Sequence, residues 1–325
     1  MQEKKLEFLR IKLENQYGKE ITKKIFEGYK IKRKTTFRVN TLKSNCKEIE
    51  KILNSKKLKF LKVDFIENAY ILENGNKKDL ESLEIYENGK IYVQSLSSML
   101  PPIILNPIEN NDILDMTAAP GGKTTQIAAM VQDKANITAC EINKIRAEKL
   151  KYNIEKQGVS SVYVMIRDAR KIDDFFKFDQ ILLDAPCSGS GTLDFNENNL
   201  ENYFTKQLIK NSSKIQLELL KKAVNIVKSG DEIVYSTCSI LEEENEKIVN
   251  EVLKNKRLKI VPIKFDNKYK KPKPKIPKRV GIITASTGAA VRDIITTIRR
   301  RFPICETILF PSLSIPILNL RVFKS

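Results

Sequence analysis

From residue 112 onward, short apolar runs alternate with helical stretches, and this alternation restricts the possible folds more than any other feature. Strand candidates fall at 113–116, 137–140, 162–166, 180–183 and 232–236, with helical stretches at 124–131, 144–156 and 206–227. Parallel strands need long crossovers, and helices supply them. The pattern therefore predicts an α/β chain with a mostly parallel, doubly wound sheet and helices on both faces. Ligands of such sheets bind beyond the carboxyl ends of the strands. The first strand runs into Thr117-Ala118-Ala119-Pro120-Gly121-Gly122-Lys123-Thr124. Two glycines let backbone approach a ligand closely, and a helix N-terminus offers unpaired N–H groups. Adjacent glycines lack the spacing of a dinucleotide fingerprint or a P-loop. Taken alone, the loop is equally an ordinary tight turn.

The other strand ends add polar groups. The second closes at Glu141 and the third is followed by Asp168. The fourth ends in Asp184-Ala185-Pro186-Cys187 and the fifth in Ser236-Thr237-Cys238-Ser239. Glu141 fits an acceptor for ribose hydroxyls, and it fits a helix-capping carboxylate as well. Polar groups at so many strand ends predict one site along that edge.

Composition narrows the chemistry. There is no histidine, which removes Ser-His-Asp, Cys-His and His-zinc mechanisms and leaves acid–base work to Asp, Glu, Lys, Cys or Tyr. The five cysteines, Cys46, Cys140, Cys187, Cys238 and Cys305, show no metal-ligand spacing and are odd in number. Neither a metal site nor a disulfide framework is expected. An excess of 58 Lys+Arg over 40 Asp+Glu gives a formal charge of +18, the footprint of a polyanion partner. A lysine-rich genome produces the same excess. No run approaches the roughly 18 apolar residues of a membrane span, and the charged N-terminus has no secretory h-region. A cytoplasmic protein with no membrane association is expected. The 325 residues suffice for a full α/β domain and a smaller one.

That smaller unit precedes the sheet. Residues 1–34 carry apolar positions at helical spacing, with eleven basic and five acidic residues. Strand candidates at 58–63, 69–72 and 90–93 and a helix at 46–52 predict a compact α+β module, with residues 94–102 as a bridge ended by Pro101-Pro102.

Together, the Ala118–Thr124 loop, Asp184-Ala185-Pro186-Cys187-Ser188-Gly189 and Thr237-Cys238-Ser239 resemble the Nop/Sun family of S-adenosylmethionine-dependent RNA cytosine-5 methyltransferases. Arg38-Val39-Asn40-Thr41, Tyr92-Val93-Gln94 and Ser97-Ser98 resemble that family's N-terminal segments, so the likeness covers roughly residues 30–263. It implies a Rossmann-like methyltransferase fold and S-adenosylmethionine as cofactor, with ribosomal or transfer RNA as partner. It also implies Cys238 as nucleophile, Cys187 as aid to product release, and Asp184 and Lys123 at the reacting base. For the cofactor it implies the loop from Thr117 through Ala118, Ala119, Pro120, Gly121, Gly122 and Lys123, with Glu141 on the ribose, Asp168 on the adenine amine, and Asp184. The family chemistry explains the pair of cysteines: a thiolate adding at C6 of cytosine makes C5 nucleophilic enough to take a methyl group. Lys123 nearby is expected to favour the thiolate. For Cys46, Cys140 and Cys305 the expectation is a small buried hydrophobe.

The chain departs from the family in two places. After Gly191, where many relatives carry arginine- and proline-bearing RNA contacts, it has the acidic, amide-rich Thr192-Leu193-Asp194-Phe195-Asn196-Glu197-Asn198-Asn199. Residues 264–279 hold eight basic residues, one acid and three interleaved prolines, the composition of a linker. Beyond it, roughly residues 275–311 resemble a fragment of the large subunit of exonuclease VII, with a strand at 280–284 and a basic helix at 289–301. The family's closing strand is not visible; a truncated or chimeric reading frame, which would leave the sheet without that strand, is the favoured expectation, and a genuine fusion that adds a basic RNA-binding arm is the alternative. The organisation expected is an N-terminal RNA-binding module at 1–100, a methyltransferase domain at 101–263, a linker at 264–279 and an atypical tail at 280–325, as a monomer. A nuclease-related protein and a non-catalytic RNA-binding protein are the rival readings.

Overall fold

The computed structural model describes residues 6–197, 200–254 and 258–261 and three later strands. Its elements in order are α1 (Glu7–Tyr17), α2 (Lys19–Gly28), β1 (Thr36–Val39), α3 (Cys46–Ser55), β2 (Phe60–Lys62), β3 (Ala69–Leu72), α4 (Lys77–Glu81), α5 (Glu84–Glu87), β4 (Ile91–Val93) and α6 (Leu96–Leu105). There follow β5 (Asp112–Asp115), α7 (Gly122–Met130), β6 (Asn136–Glu141), α8 (Lys144–Gln157), β7 (Val162–Ile166), β8 (Phe178–Asp184), α9 (Leu200–Tyr203), α10 (Lys206–Ile226), β9 (Val227–Ser236), α11 (Glu246–Leu253) and β10 (Leu258–Val261). The last three strands are β11 (Arg279–Ile283), β12 (Glu306–Phe310) and β13 (Leu320–Lys324). The helix expected at 289–301 and Cys305 lie outside the described residues.

The main sheet has seven strands in the order β10-β13-β9-β8-β5-β6-β7, and β9, β8, β5, β6 and β7 are parallel. Alternation along each strand sorts side chains into two cores. Leu114, Cys140, Ile181, Leu183, Ile233 and Tyr235 face one side, where α10 and α11 pack. Ile113, Ile137, Ala139, Leu182 and Val234 face the other, beneath α6, α7 and α8. Burial on both faces is why these strands are runs of apolar residues. Cys140 belongs to the first core, its thiol directed at the Arg167 carbonyl.

The expectation of a missing closing strand is corrected here. β13 lies inside the sheet, antiparallel to β9 on one side and to β10 on the other. It sits far along the chain, after the segment that resembles exonuclease VII, where a search directly beyond residue 263 does not find it. The methyltransferase sheet thus takes a strand from the stretch expected as an atypical tail. Between β10 and β13, β11 and β12 form a separate parallel pair.

The smaller sheet, β2-β3-β1-β4, is antiparallel and packs α3 over Phe37, Tyr70 and Leu72. The bridge at 94–102 is also corrected. It is largely helix, since α6 contains both Pro101 and Pro102. Proline at 102 cannot donate to the Ser98 carbonyl, but the Gln94 side-chain amide does so at 2.9 Å. The residues of α1 and α2 pack against Leu193, Leu200, Phe204, Ile240 and Leu241 rather than on the smaller sheet. No described helix is long and apolar enough to cross a membrane.

Candidate active site

The winding of the chain reverses between β5 and β8. From β5 it moves outward through β6 and β7, and from β8 it moves the other way to β9. A crevice opens at such a reversal, beyond the strand ends. A cavity of about 220 Å³ lies there, walled by Asp115, Thr117, Ala118, Ala119, Pro120, Gly122, Lys123 and Asp184, with Tyr92, Gln94 and Ser98 opposite.

The glycine loop is pinned from outside. Arg146 donates to the Ala119 carbonyl at 2.9 Å and Asn153 to the Pro120 carbonyl at 2.8 Å. Gly121 has φ +108°, and a Cβ there would stand 3.0 Å from a Leu150 methyl, so the turn requires glycine. Arg38, almost fully buried, clamps the inner side: it donates to Gln94 at 3.0 Å, the Gly122 carbonyl at 3.2 Å and the Thr125 hydroxyl at 2.8 Å. Among the described residues no carboxylate pairs with it, and burial lowers its pKa to about 10. Asp115 is buried behind the loop, accepts the Thr124 hydroxyl at 2.7 Å, and is pushed up by desolvation to about 6.

Asp184 closes β8 and is held from three directions. Lys123 Nζ stands 2.7 Å from its Oδ2, the Ser236 hydroxyl donates to Oδ1 at 2.7 Å, and the Thr117 hydroxyl donates to its carbonyl at 2.8 Å. Because Asp184 pairs with Ser236 across β8 and β9, the chain leaving each strand places Cys187 beside Cys238. Their Sγ atoms are 2.9 Å apart, a thiol–thiol contact well beyond the roughly 2.05 Å of a disulfide. The hydrogen bond between them pushes Cys187 up, aided by burial. The same bond lowers Cys238, with the Thr192 hydroxyl as a second support against desolvation and Asp184. Of the two, Cys238 is the one pushed towards the thiolate, and it is the more exposed. Its support comes from Cys187, whereas Lys123 is engaged with Asp184; this replaces the expectation that the lysine favours the thiolate.

Several supporting residues escaped the sequence reading. Glu244, fully buried, accepts the Ser188 N–H at 2.7 Å and also its hydroxyl, and holds the loop after Cys187. Burial raises its pKa. Asn245 accepts the Thr237 hydroxyl at 2.6 Å and donates to the Ser239 and Leu241 carbonyls, which shapes the turn around Cys238. Tyr29 donates to the Ser190 carbonyl at 2.6 Å, and Ser190 meets Ser239 hydroxyl to hydroxyl at 2.8 Å. The run Glu242-Glu243-Glu244 looks like a solvated helix start, and nothing local marks its last member as buried.

Glu141 and Asp168 stand at the ends of β6 and just past β7, on the same edge but not among the cavity walls. Glu141 is buried, accepts the Asn143 N–H at 2.9 Å and faces Arg146 at 3.5 Å. Asp168 caps the turn after β7 and pairs with Arg170 at 2.7 Å, which lowers its carboxyl.

A parallel sheet with one inserted antiparallel strand, a glycine loop at its switch point and carboxylates along the strand ends define a Rossmann-like α/β methyltransferase fold. The profile described as 16S rRNA methyltransferase RsmB/F matches residues 102–281, and the chain belongs to that family. A second profile, the large subunit of exonuclease VII, matches residues 264–313, between β10 and β13. Among curated relatives, the tRNA (cytosine(49)-C(5))-methyltransferase of Pyrococcus abyssi is 34% identical over 82% of this chain and 87% of its own length. The ribosomal RNA small subunit methyltransferase F of Shewanella piezotolerans is 36% identical over 66% of this chain and 46% of its own. The chain spans about half the length of such bacterial relatives. Among solved structures, a methyltransferase homologue from Pyrococcus horikoshii superposes with a TM-score of 0.69 at 33% identity, over 78% of this chain and 80% of that one. NSun6 from Pyrococcus horikoshii, crystallised with SFG, gives 0.70 at 25% identity, over 78% and 88%.

Proposed function

We propose that this chain transfers a methyl group from S-adenosylmethionine to C5 of a cytosine in RNA, through a covalent bond between Cys238 Sγ and C6 of the base. The observation that carries the reading is the Cys187–Cys238 contact at 2.9 Å, one thiol lowered and the other raised, beside the Lys123–Asp184 pair. Relatives named as ribosomal and transfer RNA cytosine-C5 methyltransferases support the substrate class. The neighbour crystallised with SFG, an S-adenosylmethionine analogue, supports the cofactor.

The residues at the crevice fit that cofactor chemically. Its sulfonium is a cation, and its ribose and adenine present O–H and N–H donors. Asp115, Glu141, Asp168 and Asp184 set a row of acceptors along the edge of the sheet. Thr117, Ala118, Ala119, Pro120, Gly121, Gly122 and Lys123 would hold its tail.

When bound, the cofactor would supply an electrophilic methyl group, the electron pair of the broken S–CH3 bond staying on sulfur as a neutral thioether. Cys238 adds to C6, and C5 gains enamine character. Lys123 and Asp184 offer one donor and one acceptor to the polar edge of the base. After C5 has taken the methyl, its proton is lost to water, the C–H electron pair restores the C5–C6 double bond, and Cys238 leaves as thiolate. The Cys187 S–H stabilises that departing thiolate through the hydrogen bond it already makes. Cys238→Ala is expected to abolish both methyl incorporation and adduct. Cys187→Ala is expected to accumulate a denaturant-stable enzyme–RNA adduct, seen as a shifted band. Wild-type turnover by Cys238→Ala would end this reading.

A further inference from the structure

Between α2 and β1 runs a strap, Lys30-Ile31-Lys32-Arg33-Lys34, with four cations in five exposed residues. Along its length it is tied to the 190–196 loop, and beyond its end the chain is tied, through Arg38 of β1, to the glycine loop. At one end, Tyr29 donates to Ser190 at 2.6 Å and the Phe195 N–H donates to the Tyr29 carbonyl at 2.8 Å. Arg33 reaches the Leu193 carbonyl at 3.2 Å, and Asn196 reaches the Lys30 carbonyl at 3.3 Å. This is the cysteine side, because the Gly191 N–H bonds the Cys238 carbonyl at 2.9 Å. At the other end the strap enters β1, where Arg38 holds the Gly122 carbonyl and Thr125 of the glycine loop. The strap therefore passes from the shoulder of Cys238 to the wall that carries Lys123.

The acids nearest to it along the adjoining loop are turned to local donors. Asp194 accepts from the Asn196 backbone at 2.9 Å and side chain at 2.7 Å, and Glu197 accepts the Tyr203 hydroxyl at 2.7 Å. Among the described residues, Lys32 and Lys34 have no carboxylate partner. These two exposed ammonium groups lie between the tie to the cysteine-side loop and the strand whose Arg38 holds the glycine loop. A base brought into the crevice must leave its stack, and its flanking phosphates stay at the rim.

We propose that the strap is the backbone contact for the RNA flanking the target cytosine, with Lys32 and Lys34 each neutralising a phosphate. The proposal rests on the RNA-substrate reading above and adds the surface that presents the strand. Phosphate contacts are read through salt: for single strands the slope of log K against log salt is about −0.7 per phosphate neutralised.

The test uses the full chain carrying Lys32→Ala and Lys34→Ala, which leaves the Arg33 tether in place. The probe is a short hairpin RNA with unpaired cytosines. The expected result is a salt slope shallower by roughly 0.7 for each cation removed, with weaker binding at low salt. The loss in methyl transfer falls on KM for RNA, and binding of S-adenosylmethionine is unchanged. Lys32→Arg with Lys34→Arg restores the wild-type slope. An unchanged slope and KM in the alanine variant would overturn the proposal. So would loss of binding to phosphatidylserine vesicles with RNA binding intact. If the wild type binds the hairpin with the full slope yet methylates no RNA, the catalytic reading fails and the strap stands.

Discussion

Cys187 Sγ lies 2.9 Å from Cys238 Sγ, and each thiol sets the protonation of the other. The Cys187 S–H is the largest support for a thiolate at Cys238. Its removal raises the Cys238 pKa, so the acid limb of Cys238 reactivity moves to higher pH. The rate of Cys238 alkylation by iodoacetamide, followed against pH, is expected to shift upward in Cys187→Ala and less in Thr192→Val. Cys187→Ser keeps a donor and is expected to stay near wild type. Identical profiles for Cys187→Ala and the native chain would refute the pairing.

Asp115 links the cofactor crevice to stability. Burial raises its carboxyl from 3.8 to about 6, so the folded state binds a proton that the unfolded chain has released across that window. Its contribution is fully present below about pH 4 and declines as pH rises through about 6, where the folded chain must hold a buried carboxylate. Asp115→Asn removes that cost. The variant is expected to match the native chain at pH 4 and to exceed it at pH 7 by on the order of 2–3 kcal/mol, read by denaturant unfolding. Weaker cofactor binding is expected at the same time. A variant less stable at pH 7 than at pH 4, relative to wild type, would sink the argument.

The parallel strands were legible because each is a short apolar run that ends in a polar residue, as Ile113 and Leu114 do before Asp115. The paired cysteines were legible only through their motifs. Cys140 is as close to a strand end as Cys187, yet it faces the core and bonds a carbonyl. What failed was non-local. Leu320 to Lys324 is a strand because β9 and β10 flank it, and neither neighbour is close in sequence. Pro101 and Pro102 both sit in a helix, and at Pro102 the Gln94 side chain replaces the missing backbone donor to the Ser98 carbonyl. Glu244 supports the cysteine loop because Ser188 reaches it across a loop closure that no local pattern announces.

Gly89 fixes how the smaller sheet meets α8. A Cβ there would lie 1.9 Å from the Lys156 carbonyl, and its φ is +66°. Its own carbonyl accepts from Asn40 at 2.9 Å and from Gln157 at 3.1 Å. Gly18, with φ +81°, has open space where a Cβ would go. Both alanine variants carry a positive-φ backbone cost on the order of 1–3 kcal/mol, and only Gly89→Ala adds a backbone clash. Its fall in thermal midpoint is expected to exceed that of Gly18→Ala clearly. Equal falls would mean that the contact is not tight.

The register of β10 and β13 makes a prediction about the segment between them. Leu258 pairs with Lys324 and Val261 with Arg321, so the end of β10 and the start of β13 face each other across an antiparallel pair. Opposed Cα atoms in such a pair are about 4.5–5.5 Å apart. A hairpin turn of roughly two to five residues spans that gap. The segment from 262 to 319, which holds β11, β12 and the whole of the exonuclease VII match, is then dispensable to the sheet. A chain in which a short turn replaces it is expected to keep cooperative unfolding and methyl transfer that depends on Cys238. Truncation after residue 261 gives the contrasting variant. It removes β13, leaves β9 with an unpaired edge and separates β10 from the sheet. That chain is expected to aggregate or unfold at a lower temperature. If the truncated chain were as stable as the native one, or the excised chain failed to fold, β13 would not be the strand that completes the sheet.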